Sequence, residues 1–152
     1  MNAYRRILVA VDGSPAANRG LREAIRLAKS EEAALVIFHV VNEFYAFAAP
    51  EAAASMVDLV PTLREGGKRV LAKAKALAEA QGVRASTVMR ETVGGAAADA
   101  IVREAKKQRA DLIVLGTHGR RGMRRMVLGS DAEQVVRTSP IPVLLVKGPA
   151  AR

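Results

Sequence analysis

Gly116, Gly119 and Gly129, with Ser130 following the last, enclose Arg120, Arg121, Arg124 and Arg125 in the stretch GTHGRRGMRRMVLGS. These residue types at this density suit an anion. Glycine lets a backbone take positive φ and lets a ligand approach without meeting a Cβ, a role expected here of Gly116 and Gly119. Gly129-Ser130 leads into a helical pattern, whose N-terminus would offer N–H groups and the positive end of the helix dipole. The Ser130 hydroxyl could donate to phosphate or cap that helix in an S-x-x-E box with Glu133. Arg120 would pair with phosphate or remain solvated. The stretch is long for a loop in a compact domain. It is not a G-x4-G-K-[ST] loop, and no G-x-G-x-x-G follows the first apolar run; Gly66-Gly67 and Gly94-Gly95 fit neither pattern.

Such a loop must be held by regular elements. Five apolar runs stand out, at 6–11, 34–41, 85–91, 111–116 and 142–147. Four are rich in Val, Ile and Leu without clean alternation, as in strands covered on both faces; the third is more polar and reads as an edge. Helical patterns lie between them. Ser14 is placed to cap the first, with Pro15 at its first position and Ala17, Leu21, Ala24, Ile25 and Ala28 on one face. The second stops near Gln81 at Gly82, with Val70, Leu71, Ala74, Leu77 and Ala78 inward. The third spans roughly 95–108, with Ala97, Ile101, Val102 and Ala105 inward. The fourth opens at Ser130 and ends at Pro140 and Pro142.

The order β-α-β-α-β-α-β-α-β implies a doubly wound parallel five-stranded sheet with helices on both faces and right-handed crossovers. One domain over 1–152 is expected, with no internal repeat or linker. Residues 42–62 are the least regular, and read as a packed long connection, a mobile lid or a partner patch. Ligands of such sheets bind beyond the carboxyl ends of the strands, where strand order reverses. A single reversal puts the fourth strand beside the first, bringing Asp12 of VDGS up to the glycine-rich loop.

Composition narrows the function classes. With no cysteine, disulfide frameworks and thiolate metal sites are excluded. No apolar run approaches the ~18 residues of a membrane span, and a cytoplasmic protein is expected. The net charge of +9 is lopsided: residues 1–60 carry six basic and seven acidic side chains, and 61–152 carry eighteen and eight. Such an asymmetry reads either as a well-solvated surface or as the mark of an anionic partner, whether a nucleotide, a nucleic acid or a membrane surface. Nucleic acid is disfavoured, because no aromatic residue lies beyond Phe47 to stack on bases.

G116-T-H-G119, nine residues, then G129-S130 resembles the G-x2-G-x9-G-[ST] motif of the universal stress protein family. ILVAVDGS, FHVV, ADLIVLGTHGR and LGSDAEQVVRTSPIPVLLVK extend the likeness, in order, along the chain. The resemblance implies strand order 3-2-1-4-5 and ATP in the crevice between strands one and four. Ala10, Val11 and Asp12 would line the nucleoside end, Asp12 as ribose or metal partner, and Val40, ending the second strand, would meet adenine. Leu115, Gly116, His118, Gly119 and Arg120 would follow ribose and phosphates; Gly129 and Ser130 would hold the terminal phosphates. His39 is expected to pack within its strand. Asp131 departs from the small or apolar residue common in the family, and a carboxylate there would oppose a γ-phosphate. Magnesium bridging Asp12, Asp131 and phosphate would answer that charge. The resemblance further implies a two-fold homodimer through Pro142–Lys147, an edge strand.

No nucleophile–base pair is legible: the chain has two histidines and no cysteine. A nucleotide-responsive regulatory protein in stress response is therefore the leading expectation. A slow ATPase or phosphotransfer protein using the same pocket, and a partner-binding protein without nucleotide, are the alternatives.

Overall fold

The computed structural model describes residues 2–43, 56–118 and 128–149, with only the backbone of 56–58. The strands are β1 (Arg6–Ala10), β2 (Ala34–Asn42), β3 (Ala85–Thr92), β4 (Leu112–Gly116) and β5 (Val143–Val146). The helices are α1 (Pro15–Ser30), α2 (Met56–Ala80), α3 (Ala97–Lys107) and α4 (Ser130–Thr138). All strand pairings are parallel and the order is β3-β2-β1-β4-β5. The third strand is an edge, as its polar sequence implied, and the fifth is the other edge, as the family's strand order implied.

Side chains alternate across the central strands into two apolar layers. Ile7, Val9, Leu35, Ile37, Leu112 and Val114 face α1 and α2; Leu8, Val36, Phe38, Ile113 and Leu115 face α3 and α4. Neither layer is dispensable, because full burial of one such side chain is worth about 1.5–3 kcal/mol. Winding β1 to α1 on one face and β4 to α4 on the other makes the gap between β1 and β4 the point where the fold changes sides.

Local chemistry sets the helix ends. Ser14 accepts a 3.2 Å hydrogen bond from the Ala17 N–H and Pro15 starts α1. Gly82, at φ +78°, turns the chain out of α2.

Four sequence expectations change in detail. The segment 42–62 turns helical at Met56 and runs through Pro61, a residue that reads as a boundary because it supplies no N–H. On α2, Leu77 points outward at 37% exposure while Leu71, Ala74 and Ala78 are buried. In α3, Ala98 and Ala100 face inward beside Ile101, Val102 and Ala105, whereas Ala97 sits half-buried at the first turn. In α4, Gly129 is the N-cap and Ser130 the first helical residue. Ser130 therefore cannot close the capping box with Glu133, whose N–H bonds to the Gly129 carbonyl as the first helical hydrogen bond.

Candidate functional site

The tip of β1 is built by short-range hydrogen bonds. The Val11 N–H donates to Phe38 O at 2.9 Å, carrying the β1–β2 ladder one residue past the strand. Asp12 then turns the chain: its Oδ1 accepts from the Ser14 N–H at 2.8 Å, and Gly13 follows at φ +82°. A side chain there would be strained, so the VDGS turn needs its glycine.

The tip of β4 lies beside it. Val9 pairs with Val114, so the same register places Ala10 level with Leu115 and Val11 level with Gly116. Gly116 is the last residue of β4 and, among the described residues, is not one of the glycines at positive φ. Its expected conformational role is replaced by a steric one. A Cβ there would stand 2.6 Å from the Ala16 carbonyl carbon and 2.7 Å from the Ala17 N, so its absence lets the first turn of α1 rest on the strand. Gly20 faces the same backbone one turn later, where an added Cβ would stand 3.3 Å from the Gly116 N.

Beyond Gly116 the long loop closes at its base. The Thr117 N–H donates to Val146 O at 3.0 Å, and Thr117 O accepts from the Gly129 N–H at 2.8 Å. Gly129 has φ −60°, not the positive value useful to an open loop, and a Cβ on it would press on Thr117 O at 3.1 Å. The consequence is to bring the N-terminus of α4 beside the tip of β4. Among the described residues no side chain caps that terminus, while Asp131 and Glu133 stand in its first turn. Uncapped first-turn amides there form a cradle for negative charge.

The expected site residues thus divide. Ala10, Val11 and Asp12 sit at one tip; Leu115, Gly116 and His118 at the adjoining tip; Gly129, Ser130 and Asp131 at the helix N-terminus. Leu115 is buried, Gly116 and His118 are half-buried, and Ser130 and Asp131 are exposed. Gly119 and Arg120 lie outside the described residues, as do Arg121, Arg124 and Arg125. Val40 is half-buried in β2, packs with the α3-side layer and precedes the end of the strand, which continues to Asn42. Among the described residues no group of three His, Cys, Asp or Glu side chains could hold a metal ion by itself.

Sequence reasoning missed what His39 does. It is buried at 6% exposure and its Nδ1 lies 2.7 Å from Val11 O, so it joins β2 to the β1 tip instead of only filling its own strand. A histidine within an apolar parallel strand was the available signal, since a buried imidazole needs a polar partner. At the carboxyl end of β3, Arg64 of α2 forms a forked ion pair with Glu91 and lies 3.9 Å from the Glu43 carboxylate.

Comparison with known proteins agrees with this architecture. The sequence profile of the universal stress protein family matches residues 3–147. A universal stress protein of Methanocaldococcus jannaschii is 38% identical over 148 residues, covering 97% of this chain and 85% of the relative. A universal stress protein family structure from Burkholderia pseudomallei superposes with a TM-score of 0.76 at 36% identity, covering 94% of this chain and 96% of that one. A universal stress protein solved in complex with cAMP has a TM-score of 0.68 at 27% identity, covering 96% and 98% respectively. The chain belongs to the universal stress protein family. Among the described residues, no helix is long and apolar enough to cross a membrane.

Proposed function

We propose that the chain binds ATP in the crevice between the tips of β1 and β4 and acts as a nucleotide-responsive regulatory protein in stress response. The observation that carries this reading is the α4 N-terminus, uncapped among the described residues and held against Thr117 where the sheet changes sides. Its amides suit phosphate, and Asp12 at the opposite tip suits the ribose hydroxyls. The cAMP complex of a related protein supports an adenine nucleotide as the occupant.

The residues present fit a triphosphate with magnesium. That ion takes one or two carboxylates and draws its remaining oxygens from phosphate and water, and Asp12 is the candidate carboxylate. Asp131 opposes the γ-phosphate through its side chain while its backbone N–H favours it. Dependence on magnesium should therefore be greater for ATP than for AMP. Regulation requires that ATP bind two states of the protein unequally. One cytoplasmic domain, paired into a two-fold dimer by the half-buried edge strand β5, completes the proposal.

Isothermal titration calorimetry with ATP, ADP, AMP and cAMP, with and without magnesium, tests the reading. One site per chain is expected, with the magnesium effect confined to the di- and triphosphate. Heat from none of the four on folded protein overturns it. Phosphate release that Gly119→Val abolishes without unfolding the chain would favour an ATPase instead. Light scattering at micromolar concentration should give the mass of a dimer; a monomer refutes the β5 pairing.

A further inference from the structure

Both backbone groups of Val11, the residue before Asp12, are held from β2. Its N–H goes to Phe38 O, and its C=O faces His39 Nδ1 at 2.7 Å. A carbonyl only accepts, so Nδ1 carries the proton and donates it. The far edge of the same ring faces α2. A Cβ built on Gly67 would lie 2.7 Å from His39 Cδ2 and 3.0 Å from Nε2. Three residues along the same helix, Val70 Cγ2 stands 3.4 Å from the Cβ position of Gly13. Helix α2 thus reaches the Asp12 turn twice, directly through Val70 and indirectly through His39. The neighbouring Gly66 would place a Cβ in open space, with nothing within 4 Å. Of the glycine pair, only Gly67 is required by the close approach.

We infer that His39 is a positioning residue for the nucleotide site: it fixes the peptide plane between Val11 and Asp12 and makes that plane respond to the placement of α2. The inference rests on the proposed nucleotide reading and names a regulatory path into it. Such coupling is reciprocal, so a partner that displaces α2 changes nucleotide affinity and nucleotide changes affinity for that partner. The warrant is a chain of packed contacts and one buried hydrogen bond, with no wider pathway assumed.

Gly67→Ala and Gly66→Ala form a matched pair, since each adds one methyl group and the same helix propensity. Amide spectra of the nucleotide-free protein and calorimetry with magnesium-ATP supply two readouts. Gly67→Ala should shift the amides of Val11 to Ser14 and weaken ATP binding by about tenfold, the scale of one lost buried hydrogen bond. Gly66→Ala should do neither. A Cβ on Gly67 would also stand 3.0 Å from Met89 Sδ, the end of a flexible side chain that can turn aside, so the ring is the contact through which Gly67 acts on the site. With that ring removed by His39→Ala, adding Gly67→Ala should change affinity by less than about twofold, the non-additivity expected of residues in contact. His39→Asn, whose amide can donate near the Nδ1 position, should bind ATP more tightly than His39→Ala. Equal effects of the two glycine variants, or additive losses in the double variant, overturn the inference. If the wild type takes no ATP, the functional proposal fails and the amide shifts alone decide: movement in Gly67→Ala but not Gly66→Ala sustains the positioning role, and no movement in either refutes it.

Discussion

Gly116 shows how a glycine singled out for a ligand can also be required by packing. Its spacing from Gly119 and Gly129 marks the loop, and the loop invites an argument from ligand approach. The structure gives the missing Cβ another purpose, because the space it would fill holds the backbone of Ala16 and Ala17. Backbone cannot rotate aside as a flexible side chain can. Gly116→Ala is therefore expected to destabilise the fold by about 1–3 kcal/mol, as overpacking does, and toward the upper end. Urea unfolding followed by circular dichroism checks this; a midpoint equal to that of the wild type would show that α1 yields at no cost. Nothing local to GTHG could have disclosed the contact, since it depends on how closely a distant helix settles on β4. The VDGS turn was more legible, because Asp12, Gly13 and Ser14 act on their immediate neighbours.

Elements whose signals are local and repetitive were readable from the sequence. Val, Ile and Leu without alternation in β1, β2 and β4 implied strands covered on both faces, and the polar β3 implied an edge; the same apolar pattern in β5 misled, because that strand is a half-buried edge. Helix α2 was harder, because Pro61 and Gly66-Gly67 interrupt its pattern and tertiary contact with His39 explains only the last of them. The same helix supplies Arg64, which holds the Glu91 carboxyl below its ordinary value, chiefly by hydrogen bonding and then by charge. The pair is solvent-exposed and its contribution is small. A lowered folded-state value means that the contribution is present above the ordinary glutamate range near ~4.3 and is lost as pH falls through the lower value. Arg64→Gln should move the Glu91 titration upward in carboxyl carbon spectra and flatten the corresponding acid limb of stability. A titration that stays in place would remove Arg64 as the cause.

At the scale of the whole molecule, charge and topology act separately. Residues 61–152 carry eighteen basic and eight acidic side chains, an excess that attracts anions of any kind. Retention on duplex DNA, if seen at low salt, should vanish between about 50 and 200 mM salt, as counterion-driven association does. Retention with little salt dependence would contradict the assignment of this charge to small anions. The topology has a different consequence, which follows from the 2.8 Å hydrogen bond between Gly129 N–H and Thr117 O. The strand is complete before that bond and the helix begins after it, so the scaffold is already joined at the seam where Thr117 meets Gly129. A short turn grafted across the seam should leave the urea midpoint near that of the wild type while ATP heat disappears. If it does, new ligand preferences can be written into one exchangeable cassette without touching the sheet beneath.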